Sequence, residues 1–348
     1  MVYFDCDYMC GAIPEIMDAL NRTNLDYSPG YGFDGYCKDA ENRILEACGL
    51  DDGIVKFVIG GTEANSTVVD GLLGKCQGML AAETSHINVH EAGTIEAFGH
   101  KVLTLPTQNG KITASDIDRF VTDYYHDATW EHIVEPGGVY ISFPTELGTL
   151  YSKMELEAIA AVCHKYMLPL YIDGARLGYG LASPQCDLTL KDIARLADIF
   201  YIGGTKQGAI FGEAIISSNK NIIPRFMSLI KQHGALLAKG RLLGIQFQTL
   251  FDERALYEKY ARRAVSHALE IKRIMTGKGF PLFIDSYTNQ QFFTLPNTVI
   301  DRLRESVSFE LWGPRGKVET PVRFVTSWAT TDREITALRH AVGLLESE

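Results

Sequence analysis

Three short segments of this chain place reactive residue types directly after apolar runs. Lys206 stands in Gly203-Gly204-Thr205-Lys206-Gln207-Gly208, after the run 199–202. Asp173 opens Asp173-Gly174-Ala175-Arg176, after the run 168–172. Gly60-Gly61-Thr62-Glu63-Ala64-Asn65 follows the run 56–59 and leads into an expected helix over 66–73. A lysine between glycines at a strand end can reach into a cleft, and a desolvated lysine loses its proton readily and forms a Schiff base with an aldehyde. Taken singly, it also fits a surface loop. An aspartate closing a buried strand needs a partner; Arg176 is one candidate and a protonated ring nitrogen is another. A glycine-led helix start lets backbone N–H groups approach a phosphate, although a plain strand-to-helix turn has the same composition. The segment is neither a Walker loop nor GxGxxG, so ATP and dinucleotides are not indicated.

Asp173 and Lys206 close consecutive apolar runs, which puts them face to face at one sheet edge. Joined in chain order, the three segments offer a phosphate cradle, a partner for a pyridinium nitrogen and a Schiff-base lysine. That set matches the needs of pyridoxal 5'-phosphate, whose ring acts as an electron sink when a carboxylate keeps it protonated.

The elements that must position these residues follow from the hydrophobic pattern. Between about residues 40 and 220, short apolar runs alternate with amphipathic stretches; further runs lie at 78–82, 102–105 and 139–142. Ser152 and Glu155 form a capping box, after which Leu156, Ile159, Ala160 and Cys163 share one helical face. Such alternation implies an α/β fold: a large domain whose mostly parallel sheet is covered by helices on both faces. After about residue 250 the texture becomes a long helix (254–278), strand-like pieces (281–284, 291–295, 322–324) and a last helix (332–346). The expected division is a large domain over 25–250 and a smaller α+β domain built from 1–24 and 251–348.

Composition excludes several function classes. The 348 residues carry a formal charge of −10, spread along the chain, which argues against nucleic acid or an anionic membrane as partner. Seven cysteines, at 6, 10, 37, 48, 76, 163 and 186, form no CxxC pair and read as reduced thiols. His86 and His90 lack a third ligand at metal-binding spacing, so no metal is expected. The N-terminal residues lack a signal-peptide pattern, and no run approaches the roughly 18–20 apolar residues of a membrane span. A cytoplasmic protein acting on a small molecule is expected.

Longer motifs carry a resemblance. Ser28-Pro-Gly-Tyr-Gly32, GGTEAN at 60–65, TSHINVHEAG at 84–93, PTELG at 144–148, DGARLGYG at 173–180, GGTKQGA at 203–209 and Arg323 within VRFVTSW together resemble the threonine aldolase and β-eliminating lyase group of pyridoxal-phosphate enzymes, over nearly the whole chain. The resemblance implies the aspartate-aminotransferase-type fold and a homodimer or homotetramer, with Tyr31 and Lys239 or Arg241 as candidates for contacts between subunits. It implies that Lys206 carries the cofactor, Asp173 pairs with the ring nitrogen, and Gly61 and Thr62 hold the phosphate. His86 would stack on the ring near the substrate hydroxyl, and Arg176 and Arg323 would take the α-carboxylate. Two positions depart from the group. Cys6 stands where a serine is usual, and Glu146 stands where a second active-site histidine is usual.

The reaction so implied is retro-aldol cleavage of a β-hydroxy-α-amino acid, threonine or allo-threonine, to glycine and an aldehyde, with Lys206, His86 and Asp173 catalytic. A β-eliminating lyase on the same cofactor and a non-catalytic regulatory protein of the same fold remain open alternatives.

Overall fold

A computed structural model of the chain describes residues 1–345. The strands, in chain order, are β1 (Val2–Tyr3), β2 (Ile54–Val58), β3 (Gln77–Ala82), β4 (Lys101–Leu105), β5 (Glu135–Ser142), β6 (Leu170–Asp173), β7 (Ile199–Gly203), β8 (Glu213–Ser217), β9 (Leu282–Ile284), β10 (Gln290–Pro296), β11 (Val307–Ser308), β12 (Glu310–Leu311) and β13 (Glu319–Val325). Seven of them form one sheet in the order β2-β8-β7-β6-β5-β3-β4. Within it β8 alone runs against its neighbours β2 and β7; the pairings from β7 through to β4 are parallel.

The apolar runs are unbroken because both faces of this sheet are buried. In β6, Leu170 and Ile172 join one core and Tyr171 the other. The first core packs against helices Gly35–Cys48, Ala114–His126, Lys153–Lys165 and Arg241–Leu250. The second packs against Gly61–Leu72 and Phe226–Gln232. The capping box at Ser152 and Glu155 is present, and Thr113/Asp116, Thr189/Asp192 and Thr331/Glu334 start three more helices in the same way. The mostly parallel, helix-covered sheet is the α/β fold expected from the alternation.

A second sheet, β12-β13-β10-β9, is antiparallel and packs with the last helix over its own core of Phe293, Phe309, Phe324, Leu338 and their neighbours. The long helix Leu256–Gly277 spans both bodies: Ala261, Ala264 and Val265 pack with Tyr179, and Ile271, Ile274 and Met275 enter the second sheet's core. The N-terminal residues divide. β1 pairs with β11 and Phe4 joins the smaller core, whereas Ile13 and Ile16 join the core of the large sheet.

Several boundaries differ from the sequence pattern. The helix expected at 66–73 already begins at Gly61, the long helix is Leu256–Gly277, and the last helix is Asp332–Gly343; residue 346, the end expected for it, lies outside the described residues. β8 was not anticipated, because a short apolar run after a glycine-rich loop gives no sign of its direction.

Candidate active site

Because β2, β3, β5, β6 and β7 run the same way, the segments that follow them gather at one sheet edge, where ligands of such sheets bind. β8 runs in reverse and so contributes its first residue there, Glu213, paired with Val58 and Gly203. At this edge lies a cleft of about 320 Å³. Gly61, Thr62, His86, Asp173, Arg176 and Lys206 all line it, together with Tyr8, Glu91, Glu146 and Glu213. Two glycines let the turns after β6 and β7 touch. A Cβ on Gly174 would lie 1.8 Å from the Tyr201 carbonyl oxygen, and one on Gly203 2.3 Å from that of Ala175.

Asp173 is buried on the cleft floor. Its carboxylate accepts hydrogen bonds from the Tyr140 hydroxyl (2.6 Å), the Tyr201 hydroxyl (2.5 Å), Asn65 Nδ2 (3.0 Å) and the Ala175 backbone N–H (2.9 Å). Burial alone pushes the carboxyl up, but the bonds from Tyr140, Tyr201 and Ala175 outweigh it and hold Asp173 below the usual carboxylate range. Arg176, a candidate partner from sequence, does not pair with it. The Tyr171 hydroxyl in turn donates to Asn65 Oδ1 (2.8 Å), which fixes the amide.

Lys206 sits in the short 3-10 turn Thr205–Gln207, its backbone carbonyl held by the Tyr179 hydroxyl at 2.6 Å. Burial, and then the charge of Arg176, lower the affinity of its amine for protons, against the opposing pull of Asp7, Asp173 and Glu213. A neutral amine is the form that attacks an aldehyde. Glu213 accepts a hydrogen bond from the Gly204 N–H (2.8 Å) beside it, and burial pushes its carboxyl up to about 7. The helix starting at Gly61 has no side-chain cap, so its first N–H groups face the cleft edge unclaimed by a side chain.

The two arginines arrive already paired. Arg176 donates from Nε and Nη2 to the two oxygens of Asp7 (2.7 and 3.0 Å), and Asn289 Nδ2 also donates to Asp7 (2.9 Å). Arg323, on β13, donates to Gln290 Oε1 (2.8 Å) and to Glu310, and its guanidinium lies 4.8 Å from the centre of the Trp312 ring. Its Nε is buried and has no hydrogen-bond partner among the described residues. Arg323 is not among the residues lining the cleft, but its charge and that of Arg176 are close enough to act on each other.

His86 begins a short helical turn after β3, with Nδ1 2.7 Å from Glu91 Oε1. Glu91 also accepts from Asn65 Nδ2 (2.6 Å), which ties His86 to the Asp173 floor. Tyr31, Lys239 and Arg241 lie away from this cleft. Lys239 and Arg241 line a separate hollow with Asp26, Tyr27 and Ser28, and Tyr31 borders another.

The tyrosines of the floor were not anticipated as functional, yet they carried a signal. Tyr140, Tyr171 and Tyr201 each stand two residues before the end of a neighbouring strand, so the two-residue period aims them at the face that Asp173 uses. Glu91, Glu213 and Asp7 were also missed: Asp7 pairs with Arg176 across 169 residues, and Glu91 and Glu213, though near His86 and Gly204 in sequence, meet them through turns that no helix or strand period describes.

The family model described as beta-eliminating lyase matches residues 4–295. The low specificity L-threonine aldolase of Pseudomonas sp. (strain NCIMB 10558) is 29% identical over 344 residues, covering 96% of this chain and 95% of that protein. Among solved structures, a threonine aldolase of Leishmania major is 40% identical, with a TM-score of 0.95 and 99% of both chains covered. The aspartate aminotransferase of Thermus thermophilus, 14% identical over 98% of this chain and 90% of that one, shares the fold with a TM-score of 0.70.

Proposed function

The chain belongs to the beta-eliminating lyase family, and from that premise we propose that it binds pyridoxal 5'-phosphate in this cleft and cleaves threonine-type β-hydroxy-α-amino acids to glycine and an aldehyde. The observation that carries the reading is the convergence of Lys206, Asp173 and the uncapped helix start at Gly61 on one cleft. These donors fit the group. An amine with lowered proton affinity suits an aldehyde, a carboxylate held ionised suits a protonated ring nitrogen, and free N–H groups at a helix start suit a phosphate. Once bound, pyridoxal phosphate supplies an aldehyde that links covalently to amines and a ring that draws electron density from an amino acid's α-carbon.

The chain's own residues do the rest. Gly61 and Thr62 offer backbone N–H groups to the phosphate. Asp173 keeps its charge because its four donors are neutral groups on rigid elements, and that charge retains the proton on the ring nitrogen. Arg176 is held in one orientation by Asp7, with Nη1 left over for a substrate carboxylate, and Arg323 offers a second guanidinium. His86, braced by Glu91, would cover the ring and border the substrate's hydroxyl side. Lys206 is the candidate to link the cofactor and to move the proton at the α-carbon.

The test is product analysis with the purified protein supplied with pyridoxal phosphate. Threonine and allo-threonine should each release glycine and acetaldehyde in equal amounts, and O-acetylserine, cysteine or tyrosine should release little pyruvate. Pyruvate and ammonia from the second group, with no aldehyde from the first, overturns the reading in favour of β-elimination.

A further inference from the structure

Three glutamates border the cleft, and they differ in how their oxygens are held. Glu91 spends Oε1 on His86 and Asn65, and its Oε2 is buried with no partner among the described residues. Glu213, buried against the lysine loop, has its carboxylate taken up by the Gly204 N–H and Thr205. Glu146, in the turn after β5, is built differently. Its Oε1 accepts from Ser142 Oγ at 2.6 Å and from the His86 backbone N–H at 2.9 Å. Its Oε2 makes no hydrogen bond among the described residues and is not among the buried orphan atoms, so it opens onto the cleft that Glu146 lines with Lys206, Asp173 and His86.

We propose that Glu146 is a catalytic residue, the base that takes the proton from the substrate's β-hydroxyl during carbon–carbon cleavage. The proposal rests on the retro-aldol reading above. The O–H bond breaks and its proton passes to Glu146 Oε2. The freed electron pair forms the aldehyde C=O, and the pair of the Cα–Cβ bond stays with the α-carbon. A proton added at that carbon gives glycine, so the reaction consumes no outside acid, base or oxidant.

Three features support the assignment. One oxygen is anchored by two donors, so the other is held in place rather than swinging, and placement is what makes proton transfer effective. One of the anchors is the backbone of His86, which fixes the carboxyl relative to the imidazole. Finally, burial raises the carboxyl's affinity for protons; the Ser142 bond and the His86 N–H oppose this and the Asp173 charge adds to it, with a net upward direction. A carboxyl with raised proton affinity is a stronger base than a free one, which suits it to take a hydroxyl proton.

The experiment compares the parent holoenzyme with Glu146→Gln and Glu146→Asp. Glutamine keeps an acceptor for Ser142 and His86 but cannot take the proton. With Glu146→Gln, kcat for threonine cleavage should fall by about 10²–10⁴-fold with KM nearly unchanged. Glu146→Asp should recover part of the loss. Exchange of glycine's α-proton with deuterium from solvent needs no β-hydroxyl and should stay within a few-fold of the parent. The dissociation constant for pyridoxal phosphate, read by fluorescence, should also stay within a few-fold. A Glu146→Gln enzyme that cleaves threonine at the parental rate overturns the proposal and leaves the aldolase reading standing. Equal loss of glycine exchange and cofactor binding also overturns it, by showing a structural role. A parent that cleaves no β-hydroxy amino acid sinks the functional reading itself.

Discussion

On the floor of the cleft, the Asp173 carboxylate is satisfied by neutral donors: two tyrosine hydroxyls and one amide carried by the central sheet and the helix beside it, and one backbone N–H from the turn after β6. At the rim, Arg176 and Arg323 are paired with charged groups, Asp7 from the N-terminal segment and Glu310 from the second sheet. Neutral donors on rigid elements preserve a charge without cancelling it, so the floor charge stays available to a cationic ring atom. Charged partners cancel, so a rim arginine binds an anion only to the extent that its partner leaves it free. The rim is itself uneven. The Asp7 side chain is 0% exposed and gripped by Asn289 as well, which makes it a fixed brace for Arg176. The Glu310 side chain is 46% exposed, so on the proposed reading it would be a place-holder that a substrate carboxylate displaces from Arg323.

The contrast is broken most severely at Asp173. Asp173→Asn removes the floor charge, and threonine cleavage should fall by about 10²–10³-fold, the usual cost of deleting one preorganised electrostatic group. The same carboxyl is held below its usual range, so it contributes stability that is present at neutral pH and is lost as pH falls through its folded value. Melting curves should therefore show Asp173→Asn less stable than the parent at pH 7, with the gap narrowing toward strongly acid pH.

Glu213 tests the floor from the other direction. Its carboxyl is raised, so the folded protein is penalised as pH climbs from about 4.5 to about 7, and the penalty persists above that. In the cofactor-free protein, Glu213→Gln should match the parent near pH 4.5 and exceed it at pH 8, by an amount on the order of 3 kcal/mol. An advantage that does not grow with pH would show that Glu213 is ionised throughout.

The rim predictions are smaller. Replacing Arg323 with alanine should raise KM for threonine by about 10–100-fold, the worth of one charge-assisted bond, with kcat less affected. Glu310→Gln should act in the opposite sense. Freed from a half-exposed ion pair, Arg323 should bind substrate about two- to fivefold more tightly. A rise in KM with Glu310→Gln would show that Glu310 aligns Arg323 rather than competing for it.

The contrast also marks what the sequence made legible. Asp173, Lys206 and Gly61 were readable because strand and helix alternate, and alternation alone puts strand ends at one edge. The tyrosines were readable in principle by the two-residue period. The pairing of Arg176 with Asp7 joins positions 169 residues apart and depends on how the N-terminal segment returns to the cleft. Nothing near either residue announces it. Glu146 was visible only as a departure from a resemblance; that one of its oxygens is anchored and the other open is a tertiary property of the β5 turn. β8 escaped notice, and with it the arrival of Glu213 at the edge, because direction is set by pairing rather than by pattern.

The bet beneath all of this is that the amine of residue 206 is where the cofactor is held. Adding pyridoxal phosphate, fixing it with borohydride and mapping the modified peptide by mass spectrometry tests that directly. One pyridoxyl group per chain on Lys206, absent from Lys206→Ala, is the expected result. A chain that takes up no group, or carries it on another lysine, contradicts the account.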